Sequence, residues 1–159
     1  MNNLNQILKT LLHGNVEFVL IGGYASVVHG SNQVTRDLDI CAALTINNIN
    51  ELRECLKDLN PKHRMNPGFK PSFLEIPKEN EKLNAIYLET DIGILDILSS
   101  VVSVGDYEIL KKEAVEIELF GYPCKVISLP HLIASKEALN RDKDKIVLKE
   151  LYAIRDQSE

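Results

Sequence analysis

Residues Phe18 to Ile40 read F-V-L-I-G-G-Y-A-S-V-V-H-G-S-N-Q-V-T-R-D-L-D-I, and this stretch decides the fold. Its first four residues are apolar, which is typical of a buried strand, and two glycines end that run. The segment from Tyr24 to His29 favours one or two helical turns before Gly30. Asp37 and Asp39 then alternate with apolar residues on a second predicted strand, so both carboxylates face the same side.

The paired carboxylates indicate a cation site. Two like charges held side by side repel each other unless a positive charge lies between them. Mg²⁺ or Mn²⁺ suits carboxylate oxygens together with substrate phosphates. We therefore expect Asp37 and Asp39 to bind Mg²⁺ (or Mn²⁺).

The spacing of these residues resembles a known signature. An apolar residue and Gly-Gly, then thirteen residues, then Asp-apolar-Asp-apolar is similar to the signature of the nucleotidyltransferase superfamily related to DNA polymerase beta. The wider string G-G-Y-A, H-G and T-R-D-L-D-I resembles the small branch of AbiEii-type and minimal nucleotidyltransferases. The resemblance implies an α+β fold with a mixed β-sheet and helices mainly on one face. It also implies one domain over residues 1–159, with C-terminal helices from about residue 129 packed on the core.

A third carboxylate is implied by the same resemblance, on a later strand beside the D-x-D strand. Asp96 lies inside the apolar run from Ile92 to Leu98, where an unpaired charge would be costly. It is either a cap of a nearby backbone turn or, as the resemblance implies, the third metal ligand, which would complete a second metal site and help deprotonate an acceptor hydroxyl. Asp91, at the polar end of the run, is its rival.

Nucleotide binding is expected from two parts of the chain. Gly22 and Gly23 lack side chains, so backbone can approach a phosphate there, and the following helix N-terminus favours an anion. The helix after Ser128 resembles the C-terminal part of the same family, which places Lys136 near the triphosphate. We also assign nucleotide contacts to Arg36 and Arg141, although charged residues on a helix are commonly no more than a solvated face.

The middle of the chain allows two interpretations. The segment from Pro61 to Pro77 begins P-K-H-R-M-N-P-G-F-K-P, and it is either a solvated loop or a basic flap over phosphates or an acceptor strand. Alternation of apolar and polar residues predicts two strands, Ser72–Ile76 and Ala85–Glu89, joined by a polar turn.

Composition limits the class of protein. The 159 residues, 45% of them hydrophobic, suit one folded domain, and the net charge of −5 disfavours broad nonspecific binding to nucleic acid. No apolar run approaches the length of a membrane span, and no signal peptide is recognisable. Three scattered cysteines fit reduced thiols, so a cytoplasmic location is expected.

The predicted function is transfer of a nucleoside monophosphate from an NTP, such as ATP, to an acceptor hydroxyl on protein, RNA or a small molecule. The resemblance adds a toxin–antitoxin role, with a partner protein or tRNA as acceptor, and homo-oligomerisation is also left open. The alternative is a catalytically inactive binding or antitoxin-like protein, which Tyr24 favours because many active members have Ser or Thr there. A regulator that binds triphosphate without transfer is a third hypothesis.

Overall fold

A computed structural model describes residues 2–158, which form six α-helices and nine strands. The helices are α1 (Leu4–His13), α2 (Gly22–His29), α3 (Ile46–Leu56), α4 (Tyr107–Glu113), α5 (Leu129–Leu139) and α6 (Asp142–Gln157), with a 3-10 turn at Lys57–Leu59. The strands are β1 (Val19–Ile21), β2 (Asp37–Cys41), β3 (Lys62–His63), β4 (Ala85–Thr90), β5 (Gly93–Leu98), β6 (Ser100–Val101), β7 (Gly105–Asp106), β8 (Val115–Leu119) and β9 (Tyr122–Val126). Within this part of the chain, no helix combines the length and the apolar character needed to cross a bilayer.

Seven strands form one mixed sheet in the order β3-β4-β5-β2-β1-β9-β8, and β6 and β7 form a separate pair. At its centre β2 runs antiparallel to β1 and parallel to β5. On the outer side of β5, strands β4 and β3 follow in antiparallel pairing. The predicted fold class, a mixed sheet combined with helices, is confirmed.

The central strands have one apolar face. Leu38 and Ile40 of β2, and Leu95 and Ile97 of β5, are fully buried. Helix α1 contacts both strands and α3, and its apolar residues at helical spacing join the same core. Because side chains alternate along a strand, the carboxylates that lie between these residues point to the opposite face.

Both C-terminal helices also contribute to this core. Leu132 and Ile133 of α5, and Leu148 and Leu151 of α6, belong to the same cluster of buried residues. Ser128 caps α5, because its hydroxyl accepts a hydrogen bond from the backbone N–H of His131 at 3.2 Å. These helices border the carboxylate face and bring basic residues to it.

The predicted strand Ser72–Ile76 is wrong. This segment forms turns, because the carbonyl of Ser72 accepts hydrogen bonds from the N–H groups of Glu75 and Ile76. Phe73 is fully buried, whereas Leu74 is exposed, so one side chain and not an apolar face anchors the segment. The second predicted strand, Ala85–Glu89, is confirmed as β4.

Candidate active site

The register of the central strands aligns a row of side chains on the polar face. Asp39 of β2 pairs with Ile21 of β1 on one side and with Asp96 of β5 on the other. Asp96 in turn pairs with Tyr87 of β4. Residues that face each other across strands share one face of the sheet, and Asp37 joins them because it lies two positions before Asp39. The three predicted carboxylates therefore come together.

Among the three carboxylates of this row, Asp39 is the one whose charged form is most destabilised by its surroundings. Burial raises the pKa of its carboxyl group to about 6, and the charges of Asp96 and Asp37 act in the same direction. The positive charges of Lys136 and Lys143 oppose this shift without cancelling it. An added cation close to Asp39 would relieve both the repulsion and the lost hydration.

The two glycines lie against polar residues of the site. Gly22 begins α2 with a φ of +70°, and a Cβ there would clash with the carboxylate of Asp39. A Cβ on Gly23 would lie 2.9 Å from Oγ1 of Thr35. The close approach of the β1–α2 turn to Asp39 and Thr35 thus favours glycine at both positions, a reason that differs from the phosphate contact expected from sequence.

Asp96 has an ion-pair partner. Nη2 of Arg64 donates hydrogen bonds to both carboxylate oxygens of Asp96, at 2.8 and 2.7 Å. Their side chains are 26% and 11% exposed, so the pair is largely shielded from solvent. Burial raises the pKa of Asp96, and the hydrogen bonds and charge of Arg64 counteract that shift.

A second charged cluster closes the site from the α5–α6 side. Asp144, which is fully buried, accepts hydrogen bonds from Nε and Nη2 of Arg141 at 2.6 and 3.1 Å. Nζ of the buried Lys136 lies 3.5 Å from the same carboxylate. Burial acts to raise the pKa of Asp144, but its bonds to Arg141 and the charge of Lys136 outweigh this and lower it. Asp144 therefore holds both predicted phosphate-binding residues in place.

Two clefts meet at the carboxylates. The first, of about 480 Å³, is mostly polar, and its wall includes Gly23, Arg36, Asp37 and Lys143. The second, of about 630 Å³, has an apolar wall that includes Leu98, Val101, Val102 and Leu139, together with Gly22 and Tyr87. Both are lined by Asp39, Asp96, Lys136 and Arg141. A third cavity, of about 620 Å³ beside α1 and α3, contains none of the predicted site residues.

The eight predicted site residues all line one or both of these clefts: Gly22, Gly23, Arg36, Asp37, Asp39, Asp96, Lys136 and Arg141. Among residues 2–158, however, no group of three or more His, Cys, Asp or Glu side chains is arranged to hold a metal ion by itself. The three carboxylates share a face without forming a ready-made three-ligand cage.

Other residues at the site were not selected from the sequence. Arg64 lies in the basic segment 61–77, for which no residue was singled out. Ser26 and Thr35 line the polar cleft, whereas Tyr24 lines neither cleft and its hydroxyl donates to Asn5 at 2.6 Å. The Ser26 hydroxyl donates to the carbonyl of Gly22 at 3.2 Å and the Thr35 hydroxyl donates to the carbonyl of Asp37 at 2.9 Å, so both are engaged with backbone.

Comparisons with known proteins identify the fold. No protein-family model and no curated protein matches the sequence. The structure is similar to that of the putative nucleotidyltransferase TM1012 from Thermotoga maritima, with a TM-score of 0.57, 16% sequence identity, and coverage of 94% of this chain and 90% of that chain. ANT(2")-Ia, in complex with adenylyl-2"-tobramycin, is also similar, with a TM-score of 0.46, 15% identity, and coverage of 98% and 97% of the two chains. The fold assignment rests on the first similarity: this chain has the nucleotidyltransferase fold.

Proposed function

We propose that this chain is a metal-dependent nucleotidyltransferase, which transfers a nucleoside monophosphate from a nucleoside triphosphate to an acceptor hydroxyl. The observation that supports it best is the row of carboxylates at the junction of two clefts. A group transfer between two substrates needs both to reach the same reacting atoms, and this junction offers one cleft to each. The polar cleft suits the triphosphate, and the cleft with the apolar wall suits the acceptor.

The chain's own oxygen donors fit a divalent cation. Within the described residues, neither Asp37 nor Asp39 forms an ion pair, and the raised pKa of Asp39 reflects burial and repulsion that a cation would relieve. When bound there, Mg²⁺ or Mn²⁺ would neutralise phosphate charge during transfer. Asp37 and Asp39 are the residues that would hold it, and Gly22 leaves the Asp39 carboxylate room beside the β1–α2 turn.

The polar cleft has basic residues suited to phosphate oxygens. Arg36, Lys136, Arg141 and Lys143 line it. Asp144 binds the Nε–Nη2 edge of the Arg141 guanidinium and pairs with the ammonium of Lys136, so both side chains are positioned before substrate arrives. Positioned cations of this kind stabilise the charge of a transferring phosphoryl group without reorganising at the moment of reaction.

Asp96 is placed to receive a proton. Its carboxylate lines both clefts, and its pKa is raised by burial although Arg64 opposes the shift. In the proposed step the acceptor hydroxyl transfers its proton to Asp96 while its oxygen attacks the α-phosphorus. The bond between the α-phosphorus and the bridging oxygen breaks, and pyrophosphate leaves with the bonding electrons.

Protein, RNA and small-molecule acceptors are all compatible with this chemistry, and transfer to a partner protein or tRNA would agree with a toxin–antitoxin role. The test is to incubate the purified chain with NTPs labelled at the α-phosphate, Mg²⁺ or Mn²⁺, and fractions of a cell lysate that separate these acceptor classes. We expect labelled acceptor and an equal amount of pyrophosphate with the parent chain, and neither with Asp39→Asn. If the chain binds labelled NTP but transfers label in none of the fractions, it is instead a nucleotide-binding protein that is not an enzyme.

A further inference from the structure

Arg64 extends the carboxylate row by one position, through backbone pairing. Its N–H donates to the carbonyl of Tyr87 at 3.1 Å, immediately after β3, in which His63 pairs with Leu88 of β4. Arg64 thus lies beside Tyr87, which lies beside Asp96 in the register of β4 and β5. Its side chain therefore starts on the carboxylate face and reaches across roughly two strand spacings, about 10 Å, to Asp96.

The segment that carries Arg64 is held at several points. The N–H of His63 donates to the carbonyl of Pro71, and the N–H of Phe73 donates to the carbonyl of Pro61. The Phe73 side chain is fully buried in the core. Arg64 consequently projects from a fixed strand end and not from a free flap over the site.

Arg64 supplies Asp96 with the positive partner that a second metal ion would otherwise provide. A guanidinium group stays positively charged at any physiological pH, and here it binds both oxygens of Asp96. It also lies over the Tyr87 ring, 5.7 Å from the ring centre. Asp37 and Asp39, which form no ion pair within the described residues, are then the two carboxylates of the row left to bind one divalent cation.

We infer that Arg64 takes the place of a second metal ion, so that the chain binds one divalent cation at Asp37 and Asp39 while the guanidinium holds Asp96. This inference rests on the proposed function. Two-metal sites stabilise the attacking and leaving oxygens with an ion each. A second ion at Asp96 would face the guanidinium of Arg64, and the two positive groups would repel. The guanidinium cannot easily withdraw, because strand pairing fixes the backbone of Arg64. Arg64 is a positioning residue, which acts on the reaction through Asp96.

The number of bound metal ions tests this directly. Mn²⁺ is titrated into the parent chain with a non-hydrolysable ATP analogue, and bound Mn²⁺ is counted by electron paramagnetic resonance. We expect one Mn²⁺ per chain with the spectrum of an isolated ion. Two Mn²⁺ per chain with the spectrum of a spin-coupled pair would overturn the inference, and this measurement needs no variant.

Variants then test whether Arg64 is the cause. Arg64→Ala frees Asp96 and should admit a second, spin-coupled Mn²⁺, and Arg64→Gln serves the same purpose if the alanine variant does not fold. Lys70→Ala is the matched control, because Lys70 lies in the same segment and pairs with Glu89 at 2.6 Å. The Lys70→Ala substitution removes one positive charge without changing the contacts of Asp96. The variant should therefore still bind one Mn²⁺.

The outcomes separate this inference from the proposed function. A parent chain that binds no Mn²⁺ with the analogue would overturn both. A second Mn²⁺ in the parent chain, or a single Mn²⁺ in folded Arg64→Ala and Arg64→Gln proteins, would overturn only the role of Arg64.

Discussion

Asp39 and Asp96 occupy paired positions on two adjacent parallel strands, yet their surroundings differ. Asp96 binds Arg64 through both of its oxygens. Asp39 has no ion-pair partner within the described residues, and burial together with two neighbouring carboxylates raises its pKa to about 6. Asp39 is therefore the residue of the pair whose charge opposes folding more strongly, and whose charge a substrate-bound cation would stabilise.

The first prediction is that Asp39→Asn stabilises the metal-free chain at pH 7. The pKa of Asp39 rises from 3.8 to about 6 on folding, so the folded state binds more protons between these values and its stability falls as the pH rises through them. A shift of this size corresponds to at most roughly 3 kcal/mol at pH 7, since one pKa unit equals about 1.4 kcal/mol. The gain from the substitution should therefore be present at pH 7 and disappear near pH 4.

Urea unfolding in EDTA at both pH values measures this difference. Asp58→Asn is the control, because Asp58 is exposed and lies on the 3-10 turn, away from the clefts. It should change the free energy of unfolding by less than about 0.5 kcal/mol at either pH. Equal effects of Asp39→Asn at pH 4 and pH 7 would show that its charge is not strained in the folded chain.

The second prediction separates backbone strain from steric contact at Gly22. Gly22 and Gly121 both have positive φ values, +70° and +84°, which an alanine adopts only at a cost of roughly 1–2 kcal/mol. A Cβ at Gly22 would also clash with Asp39, whereas a Cβ at Gly121 meets nothing within 4 Å. Gly22→Ala should therefore destabilise the chain more than Gly121→Ala and should also weaken Mn²⁺–nucleotide binding.

Unfolding free energies and nucleotide affinities of the two alanine variants provide the test. Gly121→Ala should retain the nucleotide affinity of the parent, because the β8–β9 turn lines neither cleft. If both variants lose equal stability and both retain affinity, the contact between Gly22 and Asp39 has no role at the site.

Local pattern predicted that Asp37 and Asp39 share one face of a strand, whereas the fold class was implied by the family resemblance. The alternation in Asp37-Leu38-Asp39-Ile40 places two acids on one face wherever the strand lies in the sheet. The position of Asp96 beside Asp39 required the parallel pairing of β2 with β5, which only the family resemblance implied. The apolar run around Asp96 was nevertheless a local signal that an acid in it needs a partner.

Arg64 could not be selected from local pattern. Strand β3 has only two residues, so it gives no alternation that could be recognised. Its position depends on pairing with β4, more than twenty residues later in the chain, and on the burial of Phe73 from a segment that forms turns. The partner of Asp96 thus arises from long-range contacts that residue spacing does not encode.

The third prediction concerns Lys136, which is buried beside Asp144 and lines both clefts. Lys136→Met keeps an apolar stem of similar size and removes the charge. A charge-assisted hydrogen bond to phosphate contributes roughly 1.5–3 kcal/mol, so triphosphate affinity should fall by about tenfold to a hundredfold. Stability should change little, because Asp144 keeps its two hydrogen bonds to the Arg141 side chain.

Calorimetry with an ATP analogue and with AMP distinguishes a phosphate contact from a general loss of binding. The affinity for the triphosphate should fall much more than that for AMP. Lys145→Met is the control, because Lys145 is exposed on α6 and lines neither cleft. Unchanged affinity for the triphosphate in a folded Lys136→Met protein would leave Lys136 as a structural partner of Asp144.

The fourth prediction assigns separate roles to the two clefts. Val102 and Leu139 line only the second cleft, and they are 50% and 44% exposed, so either can be replaced without opening the core. Val102→Glu and Leu139→Glu place a negative charge on the apolar wall, where we propose that the acceptor lies. Transfer of label should fall at least tenfold in each variant, while affinity for the ATP analogue stays within about threefold of the parent, because the polar cleft is unchanged.

Val115→Glu is the control, because Val115 is also exposed and apolar but lies on β8, outside both clefts. This substitution should leave transfer intact. If both cleft variants instead lose nucleotide affinity as well as transfer, part of the nucleotide lies against the apolar wall and the acceptor site lies elsewhere.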